Sequence, residues 1–422
     1  MRFPKNSRRN FVKGMGTLLA TATVKPIAPF TTPVLPAKAS AAYSEAYWQL
    51  VKDHFFIRPG YVMMNAANLC PSPYQVYDAV SQLDHSLERD VSFQHRQVFA
   101  ELESEVIQAL SEYLNAEQEA LAITRNTSES NNTIVNGLDL GPGDEVLLWE
   151  QNHPTNLHAW EQRARRMGFS VKVIALPANP SSAEQVVDAF ADAVSDNTKL
   201  LAFSHISNVS GLRLPAAEIC AFARSRNIMS LVDGAQSFGF MDIDLRTMAC
   251  DFYTGSAHKW LMGPKETGVL YVRKPLISKL WPNMVAAGYE GKADDDISRL
   301  VSLGQRHNAS LAGLKAVLHF HKQIGKEAVE ARTMHLTKAL REQLTDKLDE
   351  VEWITPEADE FRAGVLIFKL PGLNERQIFS QLYDQYQIAC APTGGLRLSP
   401  HIYNSMEDVA HVVDALAKLS RA

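Results

Sequence analysis

Lys259 stands in the stretch Thr254-Gly-Ser-Ala-His-Lys-Trp260, after the mostly apolar run 250–253 and before the turn Met262-Gly-Pro-Lys265. A lysine set there is held by its backbone. A lysine amine whose pKa is lowered attacks aldehydes, so the chemistry it suggests is a Schiff base. A lysine at a strand end beside a turn is ordinarily a solvated charge. The chemical reading therefore depends on partners elsewhere in the chain.

Four further stretches supply candidates. In Thr124-Arg-Asn-Thr-Ser-Glu-Ser130, a strand gives way to a helix, and Asn126, Thr127 and Ser128 fall at its start. Backbone N–H groups and hydroxyls there suit a phosphate, although an ordinary polar helix cap reads the same way. In Gln151-Asn-His-Pro-Thr-Asn156, His153 is placed to stack on a flat aromatic cofactor or simply to end a turn before a helix. In Leu231-Val-Asp-Gly-Ala-Gln-Ser237, Asp233 follows an apolar strand. It reads as a capping residue or as the partner of a protonated pyridine nitrogen, and Gln236 as a donor to a phenolic oxygen. Arg397, in Leu396-Arg-Leu-Ser-Pro400, is a strand arginine or a two-pronged clamp for a carboxylate. Taken in order, these are a phosphate cup, a stacking ring, an acid, a Schiff-base lysine and a carboxylate clamp. That set is what pyridoxal phosphate (PLP) needs to act as an electron sink.

The elements that must position these residues are legible from periodicity. Helical patterns cover 97–114, 128–137, 156–167, 183–194 and 215–226, and short apolar strands cover 120–124, 145–149, 171–176, 199–204, 228–232, 252–254 and 268–272. Near-continuously apolar strands alternating with helices predict an α/β fold with a mostly parallel sheet buried on both faces. Ligands of such sheets bind outside the carboxyl ends of the strands, which is where the candidates fall. Beyond about residue 300 the pattern changes to long helices at 311–324 and 327–348, strands at 351–354 and 364–368, and a last helix at 406–419. The expected organisation is an N-terminal segment 40–70 serving the small domain and the active-site mouth, a large cofactor domain 71–298, and a smaller α+β domain 299–422.

Charge and cysteine use narrow the function classes. Residues 1–39 hold seven basic side chains and no acid; taking them from the 42 in the chain leaves 35 basic residues against 47 acidic ones. So acidic a body offers no footprint for nucleic acid or anionic membrane. The basic head contains Ser7-Arg-Arg-Asn-Phe-Val-Lys13, then a weakly apolar run at 14–24, then small-x-small sites at 37–39 and 39–41. This matches a twin-arginine export signal at 1–39. Its apolar run falls well short of the ~20 residues that span a bilayer. The expectation is a periplasmic protein, carried out by the twin-arginine machinery with no stable membrane anchor. That route exports folded chains and suits an enzyme that must first take up its cofactor. Cys70, Cys220, Cys250 and Cys390 form no metal-ligand spacing, and a core this large does not need disulfides.

Asp-Gly-Ala-Gln at 233–236 followed by Gly-Ser-Ala-His-Lys at 255–259, with Ser204-His-Ile-Ser-Asn-Val-Ser-Gly211 upstream, resembles the class V aminotransferase family of fold-type I PLP enzymes. The resemblance runs from about residue 55 to the C-terminus. It implies that Lys259 carries PLP as a Schiff base, Asp233 pairs with the ring nitrogen, His153 stacks on the ring and Gln236 meets the phenolic oxygen. Thr127, Ser128, Ser256 and His258 would hold the phosphate. Asn208 would lie near cofactor and substrate, Arg397 would take the α-carboxylate, and Asn65 would border the mouth. A homodimer with the site at its interface is also implied.

Two departures qualify the resemblance. Gly304-Gln305 stands where the family carries a Gly-Thr that reaches the partner subunit's phosphate. The run from Ala389-Cys-Ala-Pro into Arg397 leaves no room for the mobile cysteine loop of desulfurases, so Cys390 is expected to be packed. The chain thus resembles the isopenicillin N epimerase-like group. The expected reaction is α-carbon chemistry on an amino acid or amino-acid-containing metabolite, by epimerisation, racemisation or transamination. The alternatives are a C–S or β-elimination lyase and a non-catalytic binding protein on a PLP fold.

Overall fold

The computed structural model describes residues 44–421. The export signal expected at 1–39 lies outside them. The strands in chain order are β1 (Val62–Met63), β2 (Leu121–Thr124), β3 (Glu145–Trp149), β4 (Ser170–Ile174), β5 (Thr198–Ser204), β6 (Met229–Asp233), β7 (Phe252–Ser256), β8 (Gly268–Val272), β9 (Glu352–Trp353), β10 (Leu366–Lys369), β11 (Ile388–Ala389) and β12 (Leu396–Leu398).

The principal sheet has seven strands in the order β2-β8-β7-β6-β5-β3-β4. All its neighbours pair in parallel except β8, which runs antiparallel to both β2 and β7. The carboxyl ends of β2, β3, β5, β6 and β7 therefore share one edge. Register brings the ends level, with Ser204 opposite Asp233, Asp233 opposite Thr254, and Gly268 opposite both Ser256 and Thr124.

Burial explains why the strands read as unbroken apolar runs. Val146, Leu147, Leu148 and Trp149 are all buried, as are Leu200 to Phe203. The inward side chains divide between two clusters on opposite faces of the sheet, one around Trp149, Phe203 and Tyr253, the other around Trp160, Leu231 and Phe252. Each such side chain contributes roughly 1.5–3 kcal/mol by leaving water.

The flanking helices start where caps start them. Asn126 accepts from the Glu129 N–H at the head of the helix Thr127–Gly137, and Ser182 accepts from Gln185 at the head of Ala183–Ala193. Boundaries differ from the sequence reading by one to three residues. His153 and Pro154 start the helix Pro154–Met167 two residues earlier than expected, because the proline occupies the first turn without needing a donor. Periodicity did not single out the helices Tyr74–Arg89 and Glu375–Tyr386.

A second, antiparallel sheet has the order β12-β10-β9, and β1 pairs in parallel with β11. The segment before the large sheet is stitched into this region: Val62 N donates to Gln387 O, Met64 N to Ala389 O, and Ala66 N to Ser399 O. Its core gathers Leu336, Leu340, Phe368, Leu398 and Leu416. Gly394, at φ 75°, lets this part approach the 206–213 loop; a Cβ there would stand 2.2 Å from the Val209 carbonyl oxygen. Among the described residues no helix is long and apolar enough to cross a membrane.

Candidate active site

The backbone around Lys259 is fastened at every residue. The carbonyls of residues 257 to 261 accept in turn from Gly263 N, Cys70 N, Met262 N, His401 Nε2 and His321 Nε2, at 2.7–3.0 Å. A carbonyl can only accept, so both histidines carry their proton on Nε2. Trp260 is further held by its indole N–H, which donates to Gln236 Oε1 at 2.7 Å. The amine of Lys259 thus projects from a rigid loop. Burial pulls its pKa below the usual lysine range, the Asp233 carboxylate opposes that pull, and Arg397 reinforces it.

Asp233 ends β6 and is buried. Its Oδ1 accepts from the Ala235 N–H at 3.0 Å and its Oδ2 from Asn131 Nδ2 at 2.8 Å. Asn131 is a residue that sequence reasoning missed; the one signal was a polar residue one turn after Thr127 on a helix whose other inward positions include Ile134 and Val135.

The phosphate candidates converge. Thr127 donates from its backbone N to Ser256 Oγ at 2.8 Å, and the two hydroxyls also lie 2.8 Å apart. Ser128 is half-buried on the same first turn. Asn126 serves chiefly as the cap, its Oδ1 committed to Glu129 N at 2.9 Å. The cradle needs Gly268 beneath it: a Cβ there would meet Gly255 O at 2.6 Å and Asn126 Cα at 2.8 Å. His258 is half-buried, and burial pushes its pKa down to about 4, helped by Lys259 and Lys265.

His153 caps its helix through Nδ1, which accepts from Thr155 N at 3.3 Å, so Nε2 holds the proton. Burial lowers its pKa first; Lys259 and Arg397 lower it further while Asp233 raises it. Its ring therefore stands in the field of all three charged candidates. Gln236 is held at both ends of its amide, with Nε2 donating to Ala67 O at 2.9 Å. One of its N–H bonds remains for a ligand.

Arg397 is buried on β12 and faces the loop after β5: Nη1 donates to Asn208 O at 3.1 Å and Nη2 to Asn65 Oδ1 at 3.2 Å. Burial lowers its pKa to about 10. Its Nε–H is buried without an acceptor. A buried guanidinium with an unused donor has the geometry to take a carboxylate. Asn208 touches this clamp through its carbonyl. Gln305 is exposed in the isolated chain, while Arg306 reaches Ile123 O on β2 at 3.4 Å.

These residues fit PLP. A desolvated lysine, a buried carboxylate, a hydroxyl-lined helix start and an arginine with an unspent donor are the donor set that the cofactor and a carboxylate-bearing substrate require. Cys390 is buried and its thiol is pushed up to about 12, which opposes formation of a nucleophilic thiolate. Among the described residues no cluster of histidines, cysteines and acids fits a metal ion.

Known proteins resemble this chain in sequence and fold. The family model described as Aminotransferase class-V matches residues 70–412. An isopenicillin N epimerase of Streptomyces clavuligerus is 29% identical over 395 residues, covering 89% of this chain and 99% of that one. A probable cysteine desulfurase of Pyrococcus abyssi is 29% identical over 338 residues, 74% and 82% of the two chains. Among solved structures, a lysine-to-alanine mutant of C-DES with glycine covalently linked to PLP superposes with a TM-score of 0.80 at 24% identity, over 87% of this chain and 98% of that one.

Proposed function

The chain belongs to the class V aminotransferase family of PLP-dependent enzymes, and from that premise we propose that it moves a proton at the α-carbon of an amino acid or an amino-acid-containing metabolite, by epimerisation, racemisation or transamination. The observation that carries this reading is the desolvated amine of Lys259, which shares one small region with the buried Asp233 and the half-spent guanidinium of Arg397.

When bound, PLP supplies an electron sink that spreads the negative charge left as a proton leaves the α-carbon. The chain's own residues do the rest. Thr127, Ser128, Ser256 and His258 would hold the phosphate, and His153 would stack on the ring. Asp233 would face the ring nitrogen. Arg397, with Asn65 and Asn208 behind it, fixes the substrate carboxylate and so turns the α-carbon's C–H toward Lys259. The amine of Lys259 holds and returns the proton, and its depressed pKa keeps more of it in the neutral, basic form. Which face or atom receives the proton back separates epimerase from transaminase.

A C–S or β-elimination lyase is the second reading, favoured by the similarity to a protein named as a probable cysteine desulfurase. The burial of Cys390 speaks against a desulfurase that uses a thiolate there. Export by the twin-arginine route to the periplasm is part of the proposal and rests on Ser7 to Lys13. So is a homodimer; the exposed Phe93, Trp281 and Val285 are apolar surface that a second copy would cover.

The deciding experiment incubates purified protein with amino acids and small peptides, following product chirality and keto-acid formation together. Visible absorbance from bound PLP, lost in Lys259→Ala, is the expected baseline. A protein that takes up no PLP, or one that changes neither chirality nor the amine of any substrate, would overturn the reading. Release of sulfide or another β-substituent without chirality change would favour the lyase.

A further inference from the structure

Asn131 is joined to the cofactor machinery through two elements at once. It is buried on the helix Thr127–Gly137, and its Nδ2 donates to Asp233 Oδ2 at 2.8 Å. Its Oδ1 accepts from the Thr254 hydroxyl at 2.9 Å, and Thr254 is itself fully buried. The amide can point only this way. A carboxylate that accepts needs the NH2 facing it, which leaves the carbonyl toward Thr254 and obliges the hydroxyl to donate. A flipped amide would bring acceptor against acceptor.

The spacing makes the arrangement more than a single bond. Thr127 and Asn131 stand four residues apart on one helix face, and they meet Ser256 and Thr254, two residues apart on one face of β7. Four helical residues rise about 6 Å, and two strand residues rise about 6.6 Å. The helix and the strand are therefore matched rung for rung. The first rung is the phosphate cup; the second ends on Asp233. One rigid pairing sets both ends of the site.

We propose that Asn131, anchored by Thr254, is a positioning residue that fixes the Asp233 carboxylate and keeps the proton it shares with the cofactor on the ring nitrogen. Hydrogen bonds to an ionised carboxylate favour the ionised form. Ala235 N supplies one such bond to Oδ1 and Asn131 the other to Oδ2. Without Asn131, Oδ2 loses its only protein donor among the described residues and the carboxylate is free to rotate and to take the proton for itself. The electron sink would weaken although no residue touching the cofactor had changed. This inference rests on Asp233 being the partner of the ring nitrogen.

The test is 15N NMR of holoenzyme reconstituted with PLP labelled at the ring nitrogen, in wild type, Asn131→Leu and Thr254→Val. The wild-type resonance is expected at the protonated position. It should move toward the unprotonated position in Asn131→Leu and part of the way in Thr254→Val. Cofactor affinity should fall about tenfold in Asn131→Leu. If Asn131→Leu fails to fold or to hold PLP, Thr254→Val, which removes one hydroxyl at constant volume, decides. A protonated resonance that stays put in every variant that holds PLP overturns the role of Asn131. An unprotonated wild-type resonance instead overturns the role of Asp233.

Discussion

Nη2 of Arg397 donates to Oδ1 of Asn65 at 3.2 Å, a bond between residues 332 positions apart. It ties the candidate clamp on β12 to the segment that precedes the large sheet, while Nη1 is tied to the loop after β5 by Asn208 O. The guanidinium is held in its plane before any substrate arrives, so little entropy remains to be lost on binding.

Arg397→Ala is expected to raise KM for an amino-acid substrate by about 30-fold or more, since losing a buried charge-assisted pair costs about 2–5 kcal/mol. An amine lacking the carboxylate should be processed no worse than by wild type. Asn65→Ala removes one neutral support worth about 1 kcal/mol and should raise KM only several-fold. Steady-state kinetics on a substrate with and without its carboxylate check both.

Acid should unfold the protein through His321 and His401. Burial holds them neutral, at about 3 and about 4, against an ordinary value of 6.5. Their folded values are depressed, so between pH 6.5 and about 4 the unfolded chain binds protons that the fold refuses. Their stabilisation is whole above 6.5 and drains as pH falls, each histidine losing up to about 1.4 kcal/mol for every pH unit below that value. Both hold carbonyls next to Lys259, so bound PLP should be released over the same range. Thermal melts at stepped pH, with PLP absorbance followed in parallel, would refute this by staying flat between pH 6.5 and about 4.

Gly268→Ala should damage the phosphate cradle rather than the chemistry. The new methyl would press on Gly255 O and Asn126 Cα, both backbone atoms that cannot swing away. Overpacking of this kind costs about 1–3 kcal/mol. PLP affinity should fall at least about tenfold while the residual holoenzyme keeps its ratio of products. Equilibrium dialysis of PLP measures the first effect and a turnover assay at saturating PLP the second.

Cys390 should be chemically silent in the native protein. Its thiol is buried and pushed up to about 12, so iodoacetamide should label it only after unfolding. Cys390→Ala should retain wild-type turnover on any substrate, at a stability cost of about 1–2 kcal/mol for the small cavity. Loss of turnover in a variant that remains folded would return the thiolate to the mechanism.

The candidate site residues stand out in the sequence because the logic that marks them is local. A phosphate cup needs hydroxyls at a helix start, and Thr127 and Ser128 are candidates for one because they follow an apolar strand. Asp233 and Lys259 are conspicuous for the same reason, since each polar group follows closely on a buried strand. Period and turn chemistry act over a few residues, so they also gave the α/β alternation and the parallel character of the sheet.

What the chain could not disclose is which remote groups those residues lean on. Strand order brought Asp233 and Thr254 side by side, and helix packing then delivered Asn131 to both. His321 and His401, on distant elements, hold the loop that carries Lys259. The reversed direction of β8, which places Gly268 opposite both Thr124 and Ser256, is likewise a matter of topology. The sequence marked the candidate groups through short-range chemistry. Only the fold decided their orientation, because Thr127, Asp233 and Arg397 are held by Ser256, Asn131 and Asn65, 129, 102 and 332 positions away.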